Sequence, residues 1–445
     1  METIHLYHIN DIHSHFEQWG AITEYIHTER ERLTKSGDTV FVFDLGDHAD
    51  RAHPLTEATL GQSNRQMLVE LQPDAVTIGN NEGITFSPDE LESLYQDAPF
   101  PVVVGNLFMI SGERPSWCVP STILHTELGT KVGIVGATVP FVPFYKALGW
   151  EVGDGIATIQ QEVERIRGEV DIVVVLSHLG LPEDERLADM CPAIDVILGA
   201  HTHHVLPQGK RVGDVLLACA GKWGQWVGHV SLSWGKEAGI VLSKEARLSD
   251  TSLLPNKTPQ LAKTLVKDGI KRLESSVINI LATDLKKDQV SNWLCEYIHH
   301  WSGADVTFIN EGVILHDFPQ GSVTLATLHQ ACPHPINVCT IKISGEELLE
   351  VLREVKKDRW HNLEIKGLGF RGKEMGHLVT YPEVTGTHIL SIAGEQIEKE
   401  RSYTVATLDM FTYGHFFPTF DHCQKTYHLP QFLRHLLQEA IQERT

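Results

Sequence analysis

Residues 1–15 are METIHLYHINDIHSH, and they join a β-strand to two polar residues that can bind a metal. Apolar and polar residues alternate from Thr3 to Ile9, which is typical of a strand, and Asp11 and His13 follow at once. The same arrangement recurs further along the chain, with Asp47 after Thr39–Phe43, Asn80 after Asp74–Ile78, His178 after Ile172–Leu176, and His201 and His203 after Val196–Leu198.

The first half of the chain alternates such strands with helical patterns. Further strands are predicted at Val102–Val104 and Val132–Val135, and amphipathic helices at Glu57–Glu70 and Ile156–Arg167. Helices that cover both faces of a mostly parallel sheet define the α/β class. Residues 1–252 are therefore predicted to form an α/β domain.

Two prolines and an asparagine within Leu253–Lys263 interrupt this pattern before a charged helix from Leu261 to Glu274. We predict a linker and hinge helix over residues 253–275, followed by a smaller α/β domain over residues 276–445. Its predicted elements are strands at Asp305–Ile309, Asn337–Ile343 and Tyr403–Leu408, a helix at Gly345–Lys356 and a terminal helix from Pro430.

The polar residues after the strands are predicted to converge. In α/β sheets, the loops at the carboxyl ends of the strands meet at one crevice. A mixture of Asp, Asn and His suits Mn, Fe, Co or Zn better than an all-oxygen calcium site. Any single one of the 25 histidines could equally be a loop or core residue, so the prediction depends on the whole set. Seven such residues are enough for two divalent ions that share a carboxylate.

Composition narrows the class of protein. A formal charge of −21 and a pI of about 5.6 disfavour binding to nucleic acid. The N-terminal residues lack the features of a secretion signal, and no apolar run is long enough to span a membrane. The seven cysteines are scattered without C-x-x-C pairs, as expected for reduced thiols in the cytoplasm. The sequence does not indicate an oligomeric state.

Five strings in the first half carry a resemblance to a known family: HINDIHSH (8–15), DLGDHAD (44–50), TIGNNEGI (77–84), LSHLG (176–180) and GAHTHH (199–204). Together they resemble the blocks of calcineurin-like metallophosphoesterases, specifically a bacterial cytosolic branch of the 5'-nucleotidases with GNNE in place of GNHE or GNHD. The resemblance implies a four-layer αββα domain followed by a C-terminal substrate-binding domain.

The resemblance also implies a metal arrangement. One ion would be held by Asp11, His13, Asp47 and His203, and the other by Asp47, Asn80, His178 and His201, so that Asp47 bridges them. Two such ions activate water, and the resulting hydroxide attacks phosphorus without a covalent intermediate on the protein. The substrate would be a small nucleotide or a related phosphorylated metabolite.

Asn81 departs from the family pattern, which has a catalytic histidine after the metal-binding asparagine. An amide can donate a hydrogen bond to a phosphoryl oxygen, but it cannot deliver a proton to a leaving group. The loss of general acid help costs about a hundredfold or more. We therefore expect a shift toward pyrophosphate-type substrates, whose leaving groups need less help, unless His48, Glu82 or His204 takes over the role.

The second domain resembles the 5'-nucleotidase C-terminal domain through VTFINEGVI (306–314), INVCTIKISGEELLEVL (336–352) and YTVATLDMFTYGHFF (403–417). In that family two aromatic rings hold a base, and the matching candidates are Phe370 and Phe417, with Phe416 as the alternative to Phe417. The other candidate substrate-binding residues are Asn310, Arg371 and its neighbour Lys373. Leu315 replaces an arginine of the family pattern, and the turn YGHFF lacks the family's aspartate.

The sequence thus predicts a hydrolase of phosphoric esters or anhydrides with a 5'-nucleotidase or nucleotide-sugar pyrophosphatase activity. Two alternatives stay open. One is a 2',3'-cyclic phosphodiesterase or 3'-nucleotidase, which shares the same blocks. The other is a nucleotide-binding sensor with little catalysis, suggested by Asn81 and Leu315.

Overall fold

The computed structural model describes residues 1–365, 367, 369–386, 389–413 and 416–444. The chain folds into two compact units, which are Met1–Asp50 with Leu55–Lys267, and Arg51–Pro54 with Asp268–Thr445. The division at residues 267 and 268 falls within the predicted linker region, 253–275. The action of that region as a hinge stays a prediction.

The first unit contains two large β-sheets. Its strands are β1 Glu2–Ile9, β2 Thr39–Asp44, β3 Ala75–Val76, β4 Leu107–Met109, β5 Ser121–His125, β6 Lys131–Thr138, β7 Trp150–Val152, β8 Ile172–His178, β9 Val196–Gly199, β10 Lys210–Val212, β11 Val215–Cys219, β12 Trp226–Gly235 and β13 Ile240–Asp250. One sheet has the order β13-β12-β1-β2-β3, and the other has the order β10-β11-β9-β8-β6-β5. Strands β1, β2 and β3 are parallel to one another, as are β6, β8 and β9.

The helices are α1 Trp19–Lys35, α2 Pro54–Thr59, α3 Gln62–Leu71, α4 Asn80–Thr85, α5 Pro88–Tyr95, α6 Val142–Ala147, α7 Gly155–Ile166 and α8 Leu181–Met190. Of these, α1 packs against the first sheet, and α7 and α8 cover the outer face of the second. Successive side chains of β1 point to opposite faces of its sheet, one toward the other sheet and one toward α1. Leu6 belongs to the apolar core shared by the two sheets, whereas Tyr7 faces α1, where its hydroxyl donates to Glu29 over 3.1 Å.

The second sheet is arranged in the same way. Val174 and Leu198 lie in the core between the sheets, and Val173 and Ile197 pack on the other face with residues of α7 and α8. The first unit therefore has four layers in the order helix, sheet, sheet, helix. This confirms the αββα architecture expected from the sequence.

The second unit is a smaller mixed α/β structure. The helix α9, Leu261–Glu274, spans the division between the units, and the remaining helices are α10 Lys287–Ser302, α11 Leu325–Ala331, α12 Gly345–Val355 and α13 Leu433–Gln442. The strands are β14 Val277–Leu281, β15 Val306–Asn310, β16 Gly321–Thr324, β17 Asn337–Ser344, β18 Leu378–Tyr381, β19 Val384–Thr385, β20 Ser391–Ile392, β21 Glu395–Gln396, β22 Ser402–Leu408 and β23 Gln424–Phe432. The main sheet has the order β18-β15-β22-β17-β23.

Several predicted elements are wrong in extent. The strand predicted at Asp74–Ile78 covers only Ala75–Val76, and Val102–Val104 forms isolated bridges instead of a strand. The helix predicted at Glu57–Glu70 is two helices, because Leu60 and Gly61 adopt positive φ angles of 48° and 80° that break the helical ladder. The terminal helix predicted from Pro430 begins at Leu433, because the chain up to Phe432 pairs with β17. Proline is tolerated there because β23 lies at the edge of the sheet.

All seven cysteines are free thiols, and only Cys423 is not fully buried. Within the described part of the chain, no helix combines the length and the hydrophobicity that a membrane crossing needs.

Candidate metal centre

The seven predicted metal ligands lie at the carboxyl ends of parallel strands. Asp11 and His13 follow β1, Asp47 follows β2, and Asn80 is the first residue of α4 after β3. On the other sheet, His178 is the last residue of β8, and His201 and His203 follow β9. Strand ends from both sheets thus supply the side chains of one cluster.

Six of these residues form two groups of three, each with potential ligand atoms within 4.8 Å of one another. The groups are Asp11, His13 and His203, and Asp47, His178 and His201. In the first group, His203 Nε2 lies 3.4 Å from both His13 Nε2 and Asp11 Oδ1. In the second, His178 Nε2 lies 3.5 Å from Asp47 Oδ1. This grouping is the one that the family pattern implies for two ions.

Both carboxylates lie between the two groups. Asp47 Oδ2 is 3.6 Å from His13 Nε2, and Asp11 Oδ1 is 3.9 Å from His178 Nε2. The first distance agrees with Asp47 as the bridging residue, which stays a prediction. Asp11 is also close enough to reach both positions.

Two buried atoms in the centre lack a hydrogen-bond partner among the described residues, namely Asn80 Oδ1 and His178 Nε2. An unsatisfied buried polar atom costs about 1–3 kcal/mol, so such atoms call for an explanation. The other ring nitrogen of His178, Nδ1, lies 2.7 Å from the carbonyl oxygen of Leu45 and donates to it, so Nε2 carries the lone pair whenever the imidazole is neutral. The residues present therefore fit divalent ions.

The electrostatics of the cluster also favour cations. Burial acts to lower the pKa of His178, but the adjacent Asp47 carboxylate reverses this and raises the pKa to about 10. Burial acts to raise the pKa of Asp47, and the facing His178 imidazole overcomes it and holds that pKa below its ordinary value. A buried cluster that retains positive charge so strongly is suited to divalent ions, which supply the charge without a proton.

The backbone of the centre adopts uncommon conformations. Positive φ angles occur at Asp11 (50°), His13 (49°), Asp47 (51°), His201 (70°) and His203 (57°). Each such residue other than glycine or asparagine costs about 1–3 kcal/mol, and such strain is concentrated at functional sites. The fold thus tolerates an energetic cost at five of the seven predicted ligands.

Neighbouring residues fix the loops of the centre. Glu82 accepts backbone hydrogen bonds from Asp47 and Gly79 over 2.9 Å and from Ala49 over 2.8 Å. A side chain at position 79 would collide with Asp47 and His178, so glycine is required there. Both carboxylate oxygens of Glu82 are therefore engaged, which disfavours its predicted alternative role as a proton donor.

The other candidates for that role also have defined contacts. His48 is buried with Nδ1 at 3.3 Å from Asp44 Oδ2, and its ring packs against Trp19. His204 is exposed, and its Nδ1 bonds the hydroxyl of Thr202 over 2.8 Å. Neither residue belongs to the two groups of potential ligands.

Asn81 lies at the centre, where its side-chain amide nitrogen Nδ2 is 2.6 Å from His13 Nδ1. Its backbone N–H donates to Asp47 Oδ1 over 2.7 Å. The sequence did not predict a contact between Asn81 and His13, because the two are 68 positions apart.

Asn10 was also missed, and it donates to Asp11 Oδ2 over 2.7 Å and to the carbonyl of Gly221 over 2.6 Å. Its place directly before Asp11 is the signal that could have identified it.

The predicted substrate-binding residues of the second unit do not form an open sandwich. Phe370 and Phe417 are only 3 % and 2 % exposed. Phe370 stacks on His334, and Phe417 stacks on Trp360 with ring centroids 5.4 Å apart. Both rings belong to the apolar core of the second unit, and the stacking role predicted for them stays a prediction. Phe416 is only partly buried, whereas Gly414 and His415 of the same turn lie outside the described residues.

The polar residues predicted to bind substrate in the second unit form hydrogen bonds within the protein. Asn310 is fully buried and donates to the carbonyl of Met375 over 3.1 Å. Arg371 donates its backbone N–H to His334 Nδ1 over 2.9 Å, and its guanidinium lies 3.4 Å from the carbonyl of Phe370. Lys373 is exposed, and Leu315 is partly buried. None of these observations identifies a bound substrate.

A four-layer α/β unit with Asp, Asn and His side chains at its strand ends defines a metallophosphoesterase. The chain belongs to this family, since residues 4–205 match the calcineurin-like phosphoesterase family and residues 270–422 match the 5'-nucleotidase C-terminal domain. It is therefore a hydrolase, and the mixed α/β fold and the suspected family are confirmed.

Known proteins agree with this assignment. The chain is 40 % identical to "Uncharacterized metallophosphoesterase YunD" of Bacillus subtilis over 98 % of both chains. The fold is similar to that of a putative 5'-nucleotidase from Staphylococcus aureus, with a TM-score of 0.70, 16 % identity and coverage of 98 % and 96 %. It is also similar to the NAD nucleotidase of Haemophilus influenzae, with a TM-score of 0.68, 15 % identity and coverage of 99 % and 96 %.

Proposed function

We propose that the protein hydrolyses phosphoric anhydrides or esters of nucleotides or nucleotide-linked metabolites, with two divalent ions at the centre described above. The observation that carries this proposal is the pair of buried atoms without hydrogen-bond partners among the described residues, Asn80 Oδ1 and His178 Nε2, within the cluster of Asp and His ligands. Mn, Zn, Fe and Co all suit such ligands. When bound, two such ions polarise the phosphoryl oxygens and lower the pKa of coordinated water.

The chain itself positions the reacting groups. Asp11, His13, Asp47, Asn80, His178, His201 and His203 would hold the ions, and Asn10 and Glu82 fix the loops that carry Asp11 and Asp47. Asn81 lies beside His13 and Asp47 and can donate a hydrogen bond to substrate, but it cannot supply a proton. This supports a preference for a pyrophosphate bond, because its phosphate leaving group needs little protonation.

The second unit is proposed to bind a nucleotide or a nucleotide-linked metabolite. The burial of Phe370 and Phe417 and the presence of Leu315 argue against a copy of the family's base and phosphate contacts. Phe416, Arg371 and Asn310 stay candidates. The free cysteines support the proposed cytoplasmic location, since reduced thiols are typical of that compartment.

The test is a substrate panel with the full chain loaded with Mn, and products followed by chromatography. AMP, ADP, a dinucleotide joined by pyrophosphate, a nucleotide sugar and a 2',3'-cyclic nucleotide cover the alternatives. We expect pyrophosphate bonds to be cleaved faster than AMP. Much faster hydrolysis of AMP would contradict the proposed preference. Cleavage of the cyclic nucleotide alone would indicate a 2',3'-cyclic phosphodiesterase. No turnover of any substrate with Mn, Zn, Fe or Co would indicate a nucleotide-binding sensor.

The variant Asn81→His tests the role of this position directly. It should increase AMP turnover by on the order of a hundredfold when the rate is expressed per equivalent of bound metal, because the side chain at position 81 also contacts the predicted ligand His13. His204→Asn is the matched control, because His204 adjoins a predicted ligand but bonds Thr202 on the surface. An unchanged rate in Asn81→His at normal metal content would show that Asn81 does not act at the leaving group.

A further inference from the structure

A third group of potential metal ligands lies in the second unit. Glu347, His422 and Cys423 have ligand atoms within 4.8 Å of one another. Glu347 is in the first turn of α12, and His422 and Cys423 come directly before β23. The chain therefore brings a carboxylate, an imidazole and a thiol together from segments that are 75 residues apart.

Each of these side chains has an atom suitably placed for a metal. Glu347 Oε2 accepts hydrogen bonds from the backbone N–H and the hydroxyl of Ser344, at 2.7 and 2.8 Å, which fixes the carboxylate. The other oxygen, Oε1, points to His422 Nε2 over 2.8 Å. A carboxylate held in this way through one oxygen leaves the second available as a ligand.

Cys423 differs from the other cysteines in its accessibility. It is the one cysteine of the chain that is not fully buried. Its thiol donates to the carbonyl oxygen of Thr419 over 3.0 Å, and burial raises its pKa above the ordinary value. A thiol in this state is protonated at neutral pH, but coordination to a soft cation deprotonates it.

A cavity of about 310 Å³ adjoins the three side chains, and Lys342, Ser402 and Gln424 also line it. It leaves room for water or another small ligand. Zinc binds nitrogen, sulfur and oxygen donors, and three protein ligands with an open fourth position are typical of catalytic zinc sites. A thiolate donor selects zinc or a similar soft ion over Mg or Mn.

We propose that Glu347, His422 and Cys423 form a mononuclear site for Zn²⁺ that is separate from the centre of the first unit. On binding, the Cys423 thiol releases its proton to solvent. His422 also loses its Nε2 proton to solvent and, in its neutral form with the proton on Nδ1, coordinates through Nε2. The hydrogen bond between His422 and Glu347 Oε1 is replaced by bonds from both residues to the ion. The ion would link the beginning of α12 to the beginning of β23.

Cobalt substitution tests this site in the full chain. Co²⁺ bound by a thiolate has a strong charge-transfer band in the near ultraviolet, whereas the predicted ligands of the first unit include no sulfur. We expect this band when the metal-free chain is titrated with up to about three equivalents of Co²⁺, because two ions can bind in the first unit, and we expect Zn²⁺ to remove it. The band should be absent in Cys423→Ser and present in Cys191→Ser, which removes a buried thiol of the first unit.

Glu347→Gln and His422→Gln keep the thiol and should weaken Co²⁺ binding by about tenfold or more, as expected for the loss of contacts to a metal. No band at about three equivalents of Co²⁺, a band that needs millimolar Co²⁺, or a band that persists in Cys423→Ser would overturn the proposal. Circular dichroism and the melting temperature of each variant establish that it is folded.

Discussion

The side-chain amide nitrogen Nδ2 of Asn81 lies 2.6 Å from Nδ1 of His13. If His13 binds an ion through Nε2, its Nδ1 carries the proton and needs an acceptor. The Asn81 amide supplies one when it is turned by 180°, which exchanges the positions of its nitrogen and oxygen. Asn81 would then hold the His13 ring in the orientation needed for the metal. This function is separate from any contact between Asn81 and substrate.

The first prediction follows from this contact. Asn81→Ala removes this amide and leaves Asp50, whose Oδ2 lies 3.7 Å from His13 Nδ1, as the remaining partner of that nitrogen. It should weaken Mn²⁺ binding by roughly 10- to 100-fold, as for other residues that orient metal ligands. Asn81→Asp retains an oxygen at the same place and should bind Mn²⁺ at least as well as the wild type. Titration calorimetry with the metal-free protein measures both. Equal affinity in Asn81→Ala and the wild type would exclude the orienting role.

A second prediction concerns Asn10, which holds the Asp11 carboxylate and the carbonyl of Gly221 through its amide nitrogen. Asn10→Ala leaves Asp11 without this donor and should also lower Mn²⁺ affinity by about 10- to 100-fold. Asn337→Ala is a suitable control, because Asn337 is a buried asparagine of the second unit that donates to Gln431. The control should lower stability without any change in Mn²⁺ affinity.

The third prediction is that chelation destabilises the first unit. Binding of an ion at a hundred times its Kd stabilises the folded state by about 2.7 kcal/mol. For a unit of this size, that corresponds to a shift in melting temperature of roughly 5–10 °C. Calorimetry with and without EDTA should show this decrease, and added Mn²⁺ should reverse it. A variant with both His178→Asn and His203→Asn should respond much less to either treatment.

A fourth prediction tests the burial of Phe417. The ring packs against Trp360 and Phe308 with centroids 5.4 and 5.1 Å away, so Phe417→Ala should cost about 3–5 kcal/mol of stability. Phe416→Ala, in the same turn, should cost less because Phe416 is only partly buried. Denaturant unfolding and KM are measured for both variants. A large rise in KM with little loss of stability in Phe417→Ala would support its predicted stacking role.

The sequence was more informative about the residues that gather at the metal centre than about the residues that contact substrate. Asp11, Asp47 and His178 could be placed because each follows a recognisable strand, and parallel strands bring their carboxyl ends to one edge. The orientation of an individual side chain is not encoded in such a pattern. For this reason the sequence did not predict that the amide of Asn81 reaches His13.

The second unit shows a different limit of sequence reasoning. Phe370 and Phe417 lie in segments that resemble the family's base-binding loops, but an aromatic ring in a loop can equally complete a core. The decision depends on neighbours distant in sequence, such as Trp360 and His334, which take up the faces of these rings. The end of β23 at Phe432 was missed for a similar reason, because pairing with Asn337 extends the strand beyond Pro430.

The last prediction concerns the pH dependence of stability and the buried Asp409. Its carboxylate accepts a hydrogen bond from the backbone N–H of Asn337 over 3.0 Å, but burial is the larger effect and raises its pKa to about 7. In the unfolded chain an aspartate has a pKa of about 4. The folded state therefore retains this proton between about pH 4 and pH 7, whereas the unfolded state has lost it.

The sign of the effect follows from this difference in bound protons. The stabilising contribution of the protonated Asp409 is fully present below about pH 4 and is lost as the pH rises through about 7. Asp409→Asn keeps an acceptor oxygen for Asn337 and cannot ionise. The melting temperature of the variant relative to the wild type should therefore rise between about pH 4 and pH 7 and stay constant above that range. If the difference in melting temperature between the variant and the wild type stays constant from about pH 4 to pH 7, Asp409 is already ionised in the folded protein throughout that range.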